Sequence, residues 1–289
     1  MNKINEEKIN LIINKKQLNE TTYEFDIYNP YIAVKALAGE FIIIRPLVTS
    51  ERIPLTIASY DRDEGIIKII FQAIGRTTIE LSQLHIGDKV SSFVGPLGNP
   101  TKIDGLKKVC IIGGGVGCAI AYPVAQALAK NKADVYSIIG FRNKDLIILE
   151  DEFKKVSKEL YVMTDDGSNN HKGLVTDKLE ELILKGETFD EIITIGPLIM
   201  MKFVTMIAKK YNIKVVVSMN SLMIDGTGMC GCCRLTVGNK MKFACIDGPD
   251  FDGYEVDFDE AISRSKAYLD FEKREREAAC NLYKGAKNE

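Results

Sequence analysis

The chain has 289 residues, of which 46% are hydrophobic and 27% are charged, and its formal net charge is -2. This length suits two or three globular domains, and the near-neutral charge gives no reason to expect a nucleic acid or an anionic membrane as partner. Seven cysteines, with no secretory signal pattern at the start, predict a reducing cytoplasm and a metal or redox use of the thiols.

Residues 1–103 are predicted to form an all-β domain, an antiparallel barrel. Short β-rich segments follow one another between polar turns and prolines, at 8–18, 21–29, 40–47, 52–60, 65–74 and 88–98. One helix is predicted at 77–87. Gly75 precedes Thr77, Thr78 and Glu80, so free amides at this helix start would face an anion, although a plainly capped helix accounts for the same residues.

Residues 104–219 alternate strands with helices, which predicts an α/β domain built on a doubly wound parallel sheet. A buried strand at 107–115 leads through a glycine-rich turn into a helix at 116–131. The apolar run 109–129 is long enough to resemble a transmembrane helix. Its glycines and Pro123 favour a strand, a turn and a helix instead, so no membrane segment is predicted.

The glycine-rich turn is a candidate dinucleotide site. It matches G-x-G-x-G, with Cys118 where the usual fingerprint has its third small residue, and it lies between a strand and a helix. Close packing alone would also account for these glycines. The residues concerned are Gly113, Gly114, Gly115 and Gly117.

Ligands of an open parallel sheet lie beyond the carboxyl ends of its strands. This rule adds a second group of candidate cofactor residues, namely Arg142, Asp165, Asp166, Gly196, Pro197 and Met200. Arg142 would meet a ribose or a 2′-phosphate, and otherwise it is a surface arginine. For the two aspartates, a turn or helix-cap role is an equal alternative.

A cysteine-rich loop dominates residues 220–253, which are predicted to form a small cluster domain. Four of the seven cysteines fall between Cys230 and Cys245. Plant-type 2Fe-2S sites read C-x4-C-x2-C followed by a distant cysteine. The loop reproduces this pattern with Asp225 at the first position, and a carboxylate is able to ligate iron. Asp225, Cys230, Cys233 and Cys245 are therefore the candidate metal ligands.

The cysteines also admit three simpler roles. A structural zinc site would need four nitrogen or sulfur ligands, and neither His85 nor His171 lies in this stretch. Disulfides would need an oxidising compartment. Inert buried thiols account for isolated cysteines such as Cys110, Cys118 and Cys280, but not for a clustered glycine-rich loop. The remaining residues, 254–289, predict a charged helical segment that docks on the body or a partner, or stays solvated.

Barrel, dinucleotide domain and cysteine loop, in this order, resemble the ferredoxin-NADP reductase superfamily over roughly Lys8 to Lys273. Within it the sequence is similar to electron-transfer subunits of dihydroorotate dehydrogenase and to small FAD-containing subunits of electron-bifurcating NADH-dependent reduced ferredoxin:NADP oxidoreductases. The aspartate at the first ligand position is the feature shared with the bifurcating relatives, and it leaves Cys232 without a ligand role.

The resemblance also implies where FAD binds. The family's R-x-Y-S/T strand corresponds to Arg52, Pro54, Leu55 and Thr56, with the arginine one residue further from the threonine. Gly75, Thr77 and Thr78 correspond to the helix start that receives the FAD phosphates. The C-G-P-x-x-M segment beside the nicotinamide appears as Gly196, Pro197 and Met200, with Ile195 in place of the cysteine.

The resulting hypothesis is a flavoprotein subunit that moves electrons between NAD(H), FAD and a 2Fe-2S cluster, to or from a larger flavin and iron-sulfur partner subunit. Ferredoxin would be reached through that partner. The sequence leaves NADP(H) open, and no acid–base catalytic residue is expected. The alternatives are a dihydroorotate dehydrogenase electron-transfer subunit and a metal or redox sensor without turnover.

Overall fold

The computed structural model describes residues 4–275. Its first part is an antiparallel six-stranded sheet in the order β1-β2-β5-β4-β3-β6. The strands are β1 (Leu11–Gln17), β2 (Thr22–Tyr28), β3 (Phe41–Arg45), β4 (Ile53–Asp61), β5 (Ile66–Gln72) and β6 (Ser92–Leu97). The helices are α1 (Pro30–Ala33) and α2 (Arg76–Gln83). Leu11 bridges to Lys89, just ahead of β6, so the sheet curls round and closes into the predicted barrel.

Every second side chain of β3 and β4 points into the barrel core. Ile42 and Ile44 of β3 are fully buried, and they pair across the ladder with Leu55 and Ile53 of β4. All four side chains belong to the barrel core. The intervening residues of both strands therefore point to the outer face, because successive side chains of a strand alternate between faces.

A second six-stranded sheet follows, in the order β14-β11-β10-β7-β8-β9. Its strands are β7 (Lys108–Gly114), β8 (Asp134–Phe141), β9 (Glu159–Thr164), β10 (Glu191–Ile195), β11 (Val215–Ser218) and β14 (Asp250–Asp252). The helices between them are α3 (Gly117–Lys130), α4 (Glu150–Val156), α5 (Val175–Leu184) and α6 (Leu198–Lys210). Strands β7 to β11 are parallel to one another, as the alternation of strands and helices predicts. The edge strand β14 is antiparallel to β11.

The helices cover both faces of this sheet. Helix α3 buries Ala121, Val124 and Leu128 in a core that also contains Ala58 and Ile70 of the barrel. This shared core joins the barrel to the parallel sheet. No helix in residues 4–275 has the length and apolar character needed to cross a membrane.

The cysteine loop ends in a two-stranded hairpin, β12 (Arg234–Val237) and β13 (Lys240–Phe243), and helix α7 (Phe258–Ser265) packs beside it. Glu260 of α7 accepts a hydrogen bond from the Thr236 amide at 3.0 Å. Cys233, Leu235 and Cys245 share a core with the second face of the parallel sheet and with Phe41 and Ile43 of the barrel. The loop therefore contacts both preceding parts of the chain.

Candidate cofactor sites

The glycine turn and the segment after β10 meet at the carboxyl end of the parallel sheet. A Cβ on Gly114 would lie 2.5 Å from the Met200 sulfur and 3.0 Å from Pro197 Cδ. A Cβ on Gly117 would lie 2.6 Å from the Ile195 carbonyl oxygen. The structure thus brings together two segments that are far apart in sequence, and side chains larger than hydrogen would push them apart.

Gly115, at the tip of this turn, faces open space. Its φ of +56° is in the left-handed region, and its amide donates to the Gly140 carbonyl at 2.9 Å. A Cβ on Gly115 would meet no atom of the described chain within 4 Å. Gly113 packs against Cys118, which is completely buried and whose pKa is raised by that burial. A bare backbone turn at a helix start, open on one side, fits a dinucleotide phosphate.

Arg142, Asp165 and Asp166 lie at neighbouring strand ends, and all three are exposed. The Asp165 amide donates to Phe141 at 3.0 Å, and the Asp166 amide donates to Arg142 at 3.3 Å. The Asp166 carboxylate accepts the Ser168 amide at 2.9 Å, and hydrogen bonds from Ser168 lower its pKa. Asp166 therefore stabilises its own turn, whereas Arg142 and Asp165 remain exposed beside the dinucleotide turn.

The outer face of the barrel carries two of the predicted flavin residues. Pro54 pairs with Ile43 and Thr56 pairs with Phe41, so both point outward, away from the barrel core. Leu55 points the other way and packs against that core, which leaves only its backbone for a ligand. Within the described chain, β4 pairs with β5 only from Ile57 onward, so the backbone of 53–56 has one edge without a strand partner.

Two arginines at the open end of β3 and β4 have buried nitrogens that lack an acceptor. Across residues 4–275, these are the Nε atoms of Arg45 and Arg52. A buried donor without a partner indicates a missing acceptor, and flavin phosphate or carbonyl oxygens are acceptors of this kind. Together with the unpaired backbone edge, Arg52 makes this face fit a bound flavin. Arg45 was not among the predicted site residues, because nothing in the sequence indicates that its side chain would be buried.

The start of α2 is capped by its own residues. Thr78 Oγ1 accepts the Gly75 amide at 3.0 Å and donates to the Gly75 carbonyl at 2.9 Å. Thr77 is buried. Arg76 forms ion pairs with Glu80 at 3.1 Å and with Glu275 at 2.7 Å, so the C-terminal segment reaches this helix start. Gly75, Thr77 and Thr78 thus lie together at the helix start, and the Thr78 hydroxyl is committed to the cap.

Asp225 anchors the turn that opens the cysteine loop. Its Oδ2 accepts the Thr227 hydroxyl at 2.5 Å, the Thr227 amide at 3.0 Å and the Met229 amide at 3.2 Å. These bonds, led by the Thr227 hydroxyl, lower the pKa of the carboxyl. Its other oxygen accepts no hydrogen bond from the described residues, so the carboxylate has one fixed oxygen and one available to a metal.

The cysteines of the loop differ in their surroundings. Cys233 and Cys245 are buried, with their sulfurs 3.3 Å apart. Burial first, and then the Cys233 thiol, raises the pKa of Cys245 to about 12. Cys230 is exposed, and the Cys232 amide, donating to its sulfur, lowers its pKa. Cys232 lies within 4.0 Å of the Cys230 carbonyl, and hydrogen bonding to the Cys230 side chain raises its pKa.

Two thiols at this separation are able to ligate one metal ion, since metal–thiolate bonds are about 2.3 Å long for zinc. Within residues 4–275, however, no group of three or more potential ligands converges into a ready metal site. The donor set fits an iron-sulfur cluster chemically, with a buried thiol pair, an exposed thiol of lowered pKa and a half-free carboxylate. Asp225, Cys230, Cys233 and Cys245 are the residues that would hold such a cluster.

The loop lies directly on the outer face of the barrel. A Cβ on Gly226 would lie 2.8 Å from Leu97 and 3.0 Å from Ile43, the cross-strand partner of Pro54. A cavity of about 330 Å³ opens at this junction, lined by Pro96, Leu97, Gly98, Gly226, Thr227, Cys245 and Ile246. Leu97 of β6 pairs with Phe41 of β3, and Phe41 pairs with Thr56 of β4. The cavity is therefore two strand spacings, roughly 10 Å, from β4.

A closed antiparallel barrel, a doubly wound sheet with a glycine turn and a cysteine loop resting on the barrel define an electron-transfer protein of the ferredoxin-NADP reductase type. Two family models match the chain. Residues 111–206 match the oxidoreductase NAD-binding domain, and residues 220–257 match the iron-sulfur cluster binding domain of dihydroorotate dehydrogenase B.

Relatives cover nearly the whole chain. The dihydroorotate dehydrogenase B (NAD(+)) electron transfer subunit homolog of Thermotoga maritima is 44% identical and covers 92% of this chain and 93% of its own. An uncharacterized protein in the adh 3′ region of Clostridium beijerinckii is 46% identical, and the match covers 89% of this chain and 90% of that protein. A solved chain of the NADH-dependent reduced ferredoxin-NADP oxidoreductase, studied for flavin-based electron bifurcation, is 42% identical and has a TM-score of 0.89. The match covers 96% of this chain and 99% of the solved chain.

The chain therefore belongs to the family of dihydroorotate dehydrogenase B electron-transfer subunits and their homologues. The predicted fold and the resemblance to this superfamily are confirmed. The chain is an oxidoreductase electron-transfer subunit, and the matches support FAD, NAD(H) and a 2Fe-2S cluster as its cofactors. An electron-transfer subunit of this family works with a larger catalytic subunit.

Proposed function

We propose that this chain is the small subunit of an electron-bifurcating NADH-dependent reduced ferredoxin:NADP oxidoreductase. In this role it moves electrons between NAD(H), FAD and a 2Fe-2S cluster, to or from a larger flavin and iron-sulfur subunit, with ferredoxin reached through that subunit. The solved chain of such an oxidoreductase, aligned over 96% of this sequence, supports the proposal, as does Asp225 at the first ligand position.

One observation carries the proposal. The cysteine loop rests, through Gly226, on Ile43, and Ile43 is the neighbour of Pro54 on the face that fits a flavin. The glycine turn that fits a dinucleotide packs against the Gly196–Met200 segment at the end of the adjoining sheet. Helix α3, which begins at this turn, shares a core with Ala58 of β4. Strand β4 is therefore linked by packing both to the dinucleotide domain and to the cysteine loop, which supports FAD as the carrier between them.

When bound, the nicotinamide exchanges a hydride, the flavin exchanges one or two electrons and the cluster exchanges single electrons. The chain itself binds and orients these groups. Gly114, Gly115 and Gly117 let the backbone approach the dinucleotide, while Pro197 and Met200 pack against Gly114 and hold the turn in place. Pro54 and Thr56 present the outer face of β4 to the flavin. No side chain is assigned acid–base chemistry.

The proposal assigns residues to each cofactor. FAD is held by Arg52, Pro54, Leu55, Thr56, Gly75, Thr77 and Thr78. NAD(H) is held by Gly113, Gly114, Gly115, Gly117, Arg142, Asp165, Asp166, Gly196, Pro197 and Met200. Asp225, Cys230, Cys233 and Cys245 ligate the cluster. The corresponding domains are 1–103, 104–219 and 220–253, followed by the helical segment 254–289, and the proposed location is the cytoplasm.

A second candidate function is electron transfer to a dihydroorotate dehydrogenase catalytic subunit. It is favoured by the family model over 220–257, which describes the iron-sulfur domain of that enzyme. The chemistry within the chain is the same in both cases, and the partner differs.

The test is purification of the native complex, followed by absorption and electron paramagnetic resonance (EPR) spectra and by assays with NADH, NADPH, ferredoxin and dihydroorotate. We expect flavin and iron-sulfur signals, reduction of the flavin by NADH, and a partner that couples ferredoxin to NADP. Dihydroorotate-dependent reduction of NAD would establish the second candidate instead. A colourless protein, or one whose flavin NADH does not reduce, would contradict both electron-transfer proposals.

A further inference from the structure

Arg52 connects the two sites that the proposed function places at either end of an electron transfer. It immediately precedes the strand that fits the flavin, and its Nη2 donates to the Asp225 carbonyl oxygen at 3.4 Å. These residues are 173 positions apart, so the contact arises only from the fold. Asp225 is the carboxylate candidate among the cluster ligands. The arginine thus bridges the barrel and the first ligand of the loop.

The guanidinium has few other partners. Its Nε is buried and has no acceptor among the described residues. A charged group in this position needs compensation, and the Asp225 turn is the negative group that the structure places beside it. Asp225 in turn accepts hydrogen bonds from the Thr227 and Met229 amides through Oδ2. The hydrogen bond from Arg52 to the Asp225 carbonyl therefore helps to orient the whole turn that opens the loop.

We propose that Arg52 is a positioning residue for the cluster, and that its positive charge raises the cluster's reduction potential. This inference rests on the proposed function, because it takes Asp225 as a cluster ligand. Reduction adds one electron to the cluster, and a nearby positive charge stabilises the more negative state. The hydrogen bond to the Asp225 carbonyl acts as an outer-shell contact that orients the ligand.

The resemblance to the reductases implies a second role for the same guanidinium, a contact with the flavin pyrophosphate, for which its Nε has no competing acceptor among the described residues. Here the arginine is one residue further from Thr56 than in that motif, and its Nη2 hydrogen bond points to the cluster loop. The two roles make different predictions. A pyrophosphate contact affects flavin retention, whereas a contact to the ligand loop affects the potential and the magnetic signature of the cluster.

The experiment compares Arg52→Gln, Arg52→Lys and Arg62→Gln in the full chain. Arg62 is the matched control, because its Nη2 also donates to a backbone carbonyl, that of Ala36, at 2.9 Å, elsewhere on the barrel. Flavin and iron contents are measured first. The cluster potential is then obtained from an EPR-monitored redox titration, and the g values report ligand geometry.

We expect Arg52→Gln to shift the cluster potential to more negative values and to change the g values. Arg52→Lys keeps the charge but not the guanidinium geometry, so its potential should stay close to wild type while its g values change. Arg62→Gln should match wild type in both. If Arg52→Gln does not retain a cluster, the g values of Arg52→Lys decide: changed values support the inference and unchanged values overturn it.

Loss of flavin from Arg52→Gln, with an unchanged cluster potential and unchanged g values, would overturn the inference in favour of the pyrophosphate contact. An equal shift in Arg62→Gln would also overturn it, because the effect would then be one of net charge. A wild-type chain without a 2Fe-2S signal would refute the proposed function itself. The two failures are therefore distinguishable.

Discussion

The dinucleotide turn and the cysteine loop are both glycine-rich, yet they are organised differently. In the turn, Gly114 and Gly117 are packed against Met200 and the Ile195 carbonyl, so its shape is fixed by contacts with the next strand. In the cysteine loop, Gly228 is packed against Ile246, but Cys230 is exposed and three ligands do not converge within the described chain. The turn is thus held by packing against neighbouring segments, whereas the loop combines a buried thiol pair, Cys233 and Cys245, with an exposed thiol.

This difference follows from what each site binds. A dinucleotide phosphate is recognised by backbone amides and a helix start, which the protein provides by folding alone. An iron-sulfur cluster forms covalent bonds to its ligands, and those bonds are themselves a large part of the local folding free energy. Substitutions should therefore act on packing and stability in the turn, and on cofactor content in the loop.

The largest effect is expected at the buried thiol pair. Cys233→Ser should abolish the 2Fe-2S absorption and EPR signals, because Cys233 lies 3.3 Å from Cys245 and both are candidate ligands. Reduction of the flavin by NADH should persist, since the dinucleotide turn does not depend on the loop. Cys232→Ser is the matched control and should retain the cluster. Equal loss of the cluster in both variants would show that Cys232 is a ligand.

The next effect separates two roles of Asp225. Asp225→Ala removes both the candidate iron ligand and the acceptor for Thr227 and Met229, so cluster content should fall several-fold. Asp225→Asn keeps a side-chain acceptor for the turn but provides a weaker ligand, and its content should fall as well. Asp225→Cys should restore the content with a changed potential. If Asp225→Asn kept its full cluster content and an unchanged cluster potential, Asp225 would stabilise the turn without ligating iron.

Much of the fold is predictable from sequence because it depends on local patterns. Short β-rich segments between polar turns and prolines predict the barrel strands, and Gly113–Gly117 between a strand and a helix predicts the dinucleotide turn. β14 is not predictable in this way, because Asp250–Asp252 is only three residues long and carries two aspartates. Its place at the sheet edge is set by its pairing with β11.

The candidate sites are predictable in their residue types but not in their contacts. The sequence does not show that Leu55 points into the barrel while Pro54 and Thr56 point outward, because that depends on strand register. The contact between Arg52 and Asp225 joins residues that are distant along the chain and has no local signal. Cys110 and Cys118 are buried, as predicted, whereas Cys280 lies outside the described residues.

A smaller effect, on stability, should distinguish two glycines of the dinucleotide turn. Gly117→Ala places a Cβ 2.6 Å from a backbone oxygen that has little room to move, and should lower the free energy of unfolding by about 1–3 kcal/mol. Gly114→Ala meets the flexible Met200 thioether at 2.5 Å and should cost less. Denaturant unfolding and NADH titration of both variants test this, with cluster content as control. Equal costs would contradict a turn fixed by backbone packing.

The smallest effect is expected at Asp250 on β14, the strand by which the chain returns from the cysteine loop to the edge of the parallel sheet. Asp250 follows the cysteine loop, and its Oδ2 accepts the Thr101 hydroxyl at 2.6 Å, while Oδ1 is buried without a partner in the described chain. Burial raises the pKa of this carboxyl. The folded state then holds the proton more tightly than the unfolded state, so this group's contribution to stability falls as pH rises from about 4, the pKa of an unperturbed aspartate, through the raised pKa.

Asp250→Asn should remove this slope, so the difference in melting temperature between variant and wild type should move in favour of the variant as pH rises. Asp190→Asn is a control of opposite sign. The amides of Lys108 and Lys107 donate to Asp190 at 2.9 and 2.7 Å and lower its pKa, so its contribution is present at neutral pH and lost on acidification. Parallel pH profiles for the two variants would show that Asp250 is not a buried, uncompensated acid.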